Sequence, residues 1–148
     1  MKSIFDPPTR EELINRINTV TQQTKAQWGK MNAFQMLKHC TRCEDMFQGK
    51  VKINRVFIGR LFGKMILKQV LKDDAPFRRN SPTSSLLKAT DESGDIEQQK
   101  KEWINRIEQY ADYNDQNFIH PFFGPMTKEQ IGFLAYKHTD HHLRQFGA

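Results

Sequence analysis

Asn32-Ala33-Phe34-Gln35-Met36-Leu37-Lys38-His39-Cys40-Thr41-Arg42-Cys43-Glu44-Asp45-Met46-Phe47 is the stretch on which the fold turns. Asn32 is a good N-cap residue, and Met36, His39, Cys43 and Met46 follow at steps of three, four and three. Leu37, Cys40 and Phe47 widen the apolar face, and Gly49 closes the segment. The spacing predicts an amphipathic helix with a histidine in the middle of its core-facing stripe. A buried imidazole without a partner is costly, so His39 needs a polar group from elsewhere in the chain.

Upstream, Thr9 and Glu12 have the capping-box spacing, and Leu13, Ile17, Val20 and Thr24 predict a helix to about Ala26. Downstream, Asn54 to Leu71 is a basic amphipathic segment weakened by Gly59 and Gly63. It reads as a crossover helix packed outside a bundle; the other reading of the same pattern is a membrane-surface helix. Lys72 to Asp95, with Pro76, Pro82 and Gly94, is a long polar loop. Ile96, Trp103, Ile107 and Tyr110 predict a helix from Asp95 to about Tyr113. An aromatic turn-rich loop spans 118–126, and Thr127 with Gln130 caps a last helix that Gly147 ends. No alternating strand pattern competes. The expected fold is all-α: one domain over residues 1–148, an antiparallel four-helix bundle with an extra crossover helix and a long polar loop.

Composition narrows the function classes. The chain has 148 residues, 37% of them hydrophobic, with eleven Phe, enough for a sizeable core and unlike a disordered chain. No apolar run is long enough for a transmembrane helix, and residues 1–8 hold no apolar signal-peptide region. Two Cys cannot form a disulfide scaffold and fit a reducing compartment, so the expected location is cytoplasmic. The net charge of +6 permits nucleic-acid binding, but no recognised module accompanies it, and neither nucleic acid nor membrane is an expected partner.

The histidines carry the chemistry. His138 and His142 share one face of the last helix, on a seam with Ile131, Ala135 and Gln145. His138 with His141 is the alternative pair, although His141 lies nearer the edge of that face. Together with His39, such a pair supplies three neutral imidazoles from facing helices. That donor set suits a divalent zinc, nickel or iron ion with an open fourth position.

Trp28-Gly29-Lys30-Met31-Asn32-Ala33 with Met36-Leu37-Lys38-His39-Cys40 resembles the second-helix histidine motif of the DinB-like superfamily. This is a four-helix-bundle family of metalloproteins that includes YfiT-like hydrolases and thiol-dependent transferases. His120-Pro121-Phe122-Phe123-Gly124-Pro125-Met126-Thr127 and Lys137-His138-Thr139-Asp140-His141-His142-Leu143-Arg144-Gln145-Phe146 resemble a branch of it known only as a domain of unknown function. The resemblance covers nearly the whole chain. It implies a metal held by one histidine of the second helix and a His-x-x-x-His pair on the last, which fall on His39, His138 and His142. Gln145 matches a supporting position, able to hydrogen-bond a ligand imidazole. The implied activity is metal-dependent hydrolysis or low-molecular-weight thiol transfer to a small molecule.

Other residues have weaker claims than this set. Cys43, one turn after His39, is either a fourth ligand that closes the site or a small apolar core residue, and the second reading is preferred. Cys40 and Cys43 form C-x-x-C, but in the middle of a helix rather than at its N-terminus, unlike a redox pair. Asp112 and Asp140 are candidate acid partners. His120 reads as a turn-stabilising residue, Phe122 and Phe123 as plugs of the bundle end, and Arg78, Arg79 and Ser81 as an anion-binding candidate. The competing functional class is a non-catalytic interaction module with a structural or absent metal. A homodimer through an exposed apolar face of the crossover helix is compatible with either.

Overall fold

Two prolines set where the first helix begins. In the computed structural model, helix α1 spans Pro7–Asn18, with Asp6 as N-cap and Pro7 and Pro8 in the first turn. A missing N–H costs nothing there, so the helix starts two residues before the Thr9–Glu12 signal, and Thr9 is buried inside it. The helix also ends early, at Asn18 rather than Ala26. The buried Lys100 ammonium donates to the carbonyls of Asn18 at 3.3 Å and Val20 at 3.1 Å, satisfying a helix end from a distant segment. Val20 still reaches the core, arriving there through a turn. The structure describes residues 1–81, 83–115 and 117–148; Pro82, one of the prolines of the polar loop, and Gln116 lie outside the described residues.

Three of the four remaining α-helix starts follow their local signals. Helix α2 spans Ala33–Phe47 behind a complete Asn32–Gln35 capping box. Helix α3 spans Phe57–Val70. Helix α4 spans Ile96–Glu108, capped by the Asp95 carboxylate, and a 3₁₀ turn continues it through Asp112. Helix α5 spans Lys128–Gln145 behind the Thr127–Gln130 capping box. A short 3₁₀ turn at Ser85–Leu87 interrupts the polar loop. The aromatic loop holds a two-stranded antiparallel hairpin, β1 Ile119–His120 and β2 Gly124–Pro125, too short to leave an alternating pattern.

The chain is therefore mostly helical. Helices α1 and α2 each pack against both α4 and α5. Leu13, Ile17, Met36, Leu37, Trp103, Ile107, Ile131 and Leu143 are fully buried between them. Among the described residues no helix is long and apolar enough to cross a membrane.

Helix α3 packs differently. It turns Gly59 and Gly63 onto the backbone of Phe122, so close that a Cβ on either would sit 2.4 Å or 2.2 Å from the Phe122 carbonyl oxygen. The glycines that weaken the helix in isolation are thus what lets it approach the aromatic loop. Its C-terminal end is held by the buried Lys137, whose ammonium donates to the carbonyls of Val70 at 2.6 Å and Asp73 at 2.9 Å.

Candidate metal centre

Helix α2 carries His39 inward, and helix α5 brings His138 and His142 to meet it across the α2–α5 contact. One ring nitrogen from each histidine lies within 4.8 Å of the other two. The ring centroids are 5.3 Å apart for His39–His138, 4.8 Å for His39–His142 and 4.7 Å for His138–His142. The four-residue spacing on α5 works because it returns the second side chain to the same face one turn later.

Hydrogen bonds on the outer nitrogens orient two of the rings. His39 Nδ1 lies 2.8 Å from the Leu87 carbonyl oxygen, to which it donates. His142 Nδ1 donates to Gln145 Oε1 at 2.8 Å. The Gln145 amide is itself oriented, because its Nε2 donates to the Trp28 carbonyl at 2.8 Å, leaving the oxygen for His142. Gly29 makes room for this: at φ +85° it bends the chain, and a Cβ there would lie 2.5 Å from Gln145 Nε2. Protons on both Nδ1 atoms leave the Nε2 lone pairs of His39 and His142 free.

His138 is the third ring. Its Nε2 lies 3.3 Å from His39 Nε2, and its Nδ1 is buried with no hydrogen-bond partner. Burial, and secondarily the neighbouring imidazoles, hold His138 well below the usual histidine range. Burial also lowers His39, and pushes His142 down to about 3. The three rings are thus neutral at neutral pH. They present more lone pairs than the single His138 N–H can satisfy, and a divalent cation fits that donor set.

The other candidates sit as follows. His141 lies outside the convergent set; its ring faces Trp28 and Phe77, with centroids 5.8 Å away in each case. Beside it is a cavity of about 450 Å³ lined in part by Trp28, Phe77, Arg79 and Arg144. Arg79 lies over the Trp28 ring at 4.2 Å, whereas the Ser81 hydroxyl donates to the Arg78 carbonyl at 2.7 Å and closes a turn. Cys43 Sγ is 3.6 Å from His39 Nε2 and outside the converging set of three. Burial pushes the Cys40 and Cys43 thiols well above their usual range, so neither is a thiolate at neutral pH. Asp140 faces α1, paired with Arg16 at 2.8 Å and Arg144 at 2.7 Å, and Asp112 is exposed. His120 Nδ1 accepts from the amides of Phe122 at 3.1 Å and Phe123 at 3.2 Å, which fixes the hairpin turn.

Two groups lie outside the candidates named from the sequence. The Leu87 carbonyl is a backbone group in the polar loop and leaves no side-chain signature. Glu44 is fully buried on α2, where it accepts from the hydroxyls of Tyr110 and Thr139. Its signal was present: an acid at a position flanked on the helix face by Leu37 and Cys40.

Residues 5–148 match the family model described as a protein of unknown function (DUF1569), and the chain belongs to that family. No curated protein and no solved structure matches the chain.

Proposed function

We propose that this member of the DUF1569 family is a metal-dependent enzyme. In this reading His39, His138 and His142 hold a divalent ion, zinc, nickel or iron, with an open coordination position. The chain then acts on a small molecule as a hydrolase or a low-molecular-weight thiol transferase. The observation that carries the reading is the direction of the imidazoles. The Leu87 carbonyl and the Gln145 amide oxygen hold the Nδ1 atoms of His39 and His142, which leaves the Nε2 lone pairs of both rings free in a cluster whose third ring is His138. We read α1, α2, α4 and α5 as the four-helix bundle of the DinB type, with α3 as its extra crossover helix.

When bound, a divalent ion in such a donor set supplies a Lewis acid that lowers the pKa of a water or an incoming thiol. The chain's own part is orientation. Gln145 fixes the His142 tautomer and Leu87 that of His39, and Trp28 with Gly29 seats Gln145. Gln145→Leu is therefore expected to weaken metal affinity by about 10- to 100-fold, read by competition against a chelating dye. Gln145→Glu keeps an acceptor opposite His142 and should lose less; equal losses would reduce Gln145 to packing.

The function is tested by turnover. Metal-loaded wild type should react a low-molecular-weight thiol with a model electrophile, or hydrolyse an ester or amide, and His142→Ala should lose that activity. A metal-loaded wild type inert towards all of these would sink the enzyme reading. The second reading, a non-catalytic interaction module, draws on the Cys43 sulfur beside His39 Nε2. An ion that is retained without turnover and without exchangeable water would assign the chain to it.

A further inference from the structure

Helix α3 buries its two glycines and exposes five of its large apolar residues. Gly59, Gly63 and Leu67 face the protein. Phe57, Ile58, Leu61, Phe62 and Met65 are between 48% and 74% exposed. At 3.6 residues per turn these five fill an arc of about 140° opposite the glycines. A contiguous patch of five large apolar side chains on one helix marks an interaction surface.

Charge identifies the occupant. Between Lys50 and Lys72 there are seven Lys and Arg and no Asp or Glu. Of these, Lys52, Arg60, Lys64, Lys68 and Lys72 are exposed, and none of the five forms an ion pair among the described residues. A second copy docked face to face would bring these like charges together along α3. A negatively charged lipid surface matches them instead, with lysine stems reaching past the apolar arc to the headgroups. A helix of 14 residues is too short to span a bilayer and suited to lying in its interface.

We propose that α3 is a peripheral membrane-docking helix that inserts Phe57, Ile58, Leu61, Phe62 and Met65 into the interface of an anionic lipid bilayer, with Arg60, Lys64 and Lys68 on its headgroups. The glycine contacts with Phe122 hold the helix in the orientation that presents this face, and the histidine cluster is not part of the surface.

The test is co-sedimentation of the full chain with vesicles of phosphatidylglycerol and phosphatidylcholine in equal parts, beside vesicles of phosphatidylcholine alone. Binding is expected to the mixed vesicles only, and to fall as salt is raised. Phe57→Ser with Leu61→Ser should weaken partitioning by at least about tenfold. Lys64→Glu with Lys68→Glu should do the same through charge. These residues are exposed, so both double variants should melt like wild type. No binding to mixed vesicles would overturn the proposal. Binding that survives Phe57→Ser with Leu61→Ser would also overturn it, leaving charge attraction alone. So would a dimer in sedimentation equilibrium that this pair dissolves without any vesicle binding, because the face would then belong to a second copy.

Discussion

His39→Ala is expected to abolish stable metal binding. Protein purified without a tag or nickel resin should carry about one equivalent of a divalent ion, and the variant close to none. Structural zinc sites with four ligands are worth about 10–16 kcal/mol, so one lost ligand costs about 3 kcal/mol or more, at least a hundredfold in affinity. His39 is the ligand to remove because, among the described residues, it is the one histidine that α2 supplies to the cluster. The same variant separates stability effects. An ion at a hundred times its dissociation constant stabilises the folded state by about 2.7 kcal/mol. At this chain length that is a rise of about 8 °C in melting temperature. Wild type should show that rise on adding metal, and His39→Ala should not. Elemental analysis and melting curves with and without a chelator read both effects. Wild type that neither carries nor takes up an ion would leave the three histidines as a hydrogen-bonded core cluster.

Glu44 should make the protein less stable as pH rises through the weakly acidic range. Burial pushes its carboxyl from 4.5 to about 7, against the opposing hydrogen bonds from Tyr110 and Thr139. Below pH 4.5 the group is protonated both folded and unfolded, and contributes no pH dependence. Between 4.5 and 7 the unfolded chain ionises while the folded one keeps its proton, so stability falls with increasing pH. Above 7 the loss is complete, at about 3 kcal/mol. Most carboxylates that are paired in a folded protein act in the opposite direction, so the comparison must be with Glu44→Gln. The difference in unfolding free energy between variant and wild type is expected to move by about 3 kcal/mol in favour of the variant from pH 4 to pH 8. Denaturant curves of the metal-free proteins across that range measure it, and parallel pH profiles would refute a raised Glu44 pKa.

The features legible in the sequence are those whose physics is local. Asn32 with Gln35, Asp95, and Thr127 with Gln130 cap helices through side chains that reach their own next turn, so the sequence alone locates those starts. The periodic apolar residues of α2 and α5 likewise put His39, His138 and His142 on core-facing sides before any packing is known.

Tertiary structure decided whatever depends on groups far apart in the chain. Helix α1 stops at Asn18 because Lys100, 82 residues on, takes its terminal carbonyl. Which lone pairs of the histidine cluster are free depends on the Leu87 carbonyl 48 residues from His39, and on a Gln145 amide turned by the carbonyl of Trp28, 117 residues away. The apolar residues of α3 predict a packed connector, yet Gly59 and Gly63 can approach the Phe122 backbone more closely than any large side chain, so the helix turns that face inward and its phenylalanines outward. A hydrophobic pattern states that one face differs from the other; which of them meets the protein depends on what lies opposite.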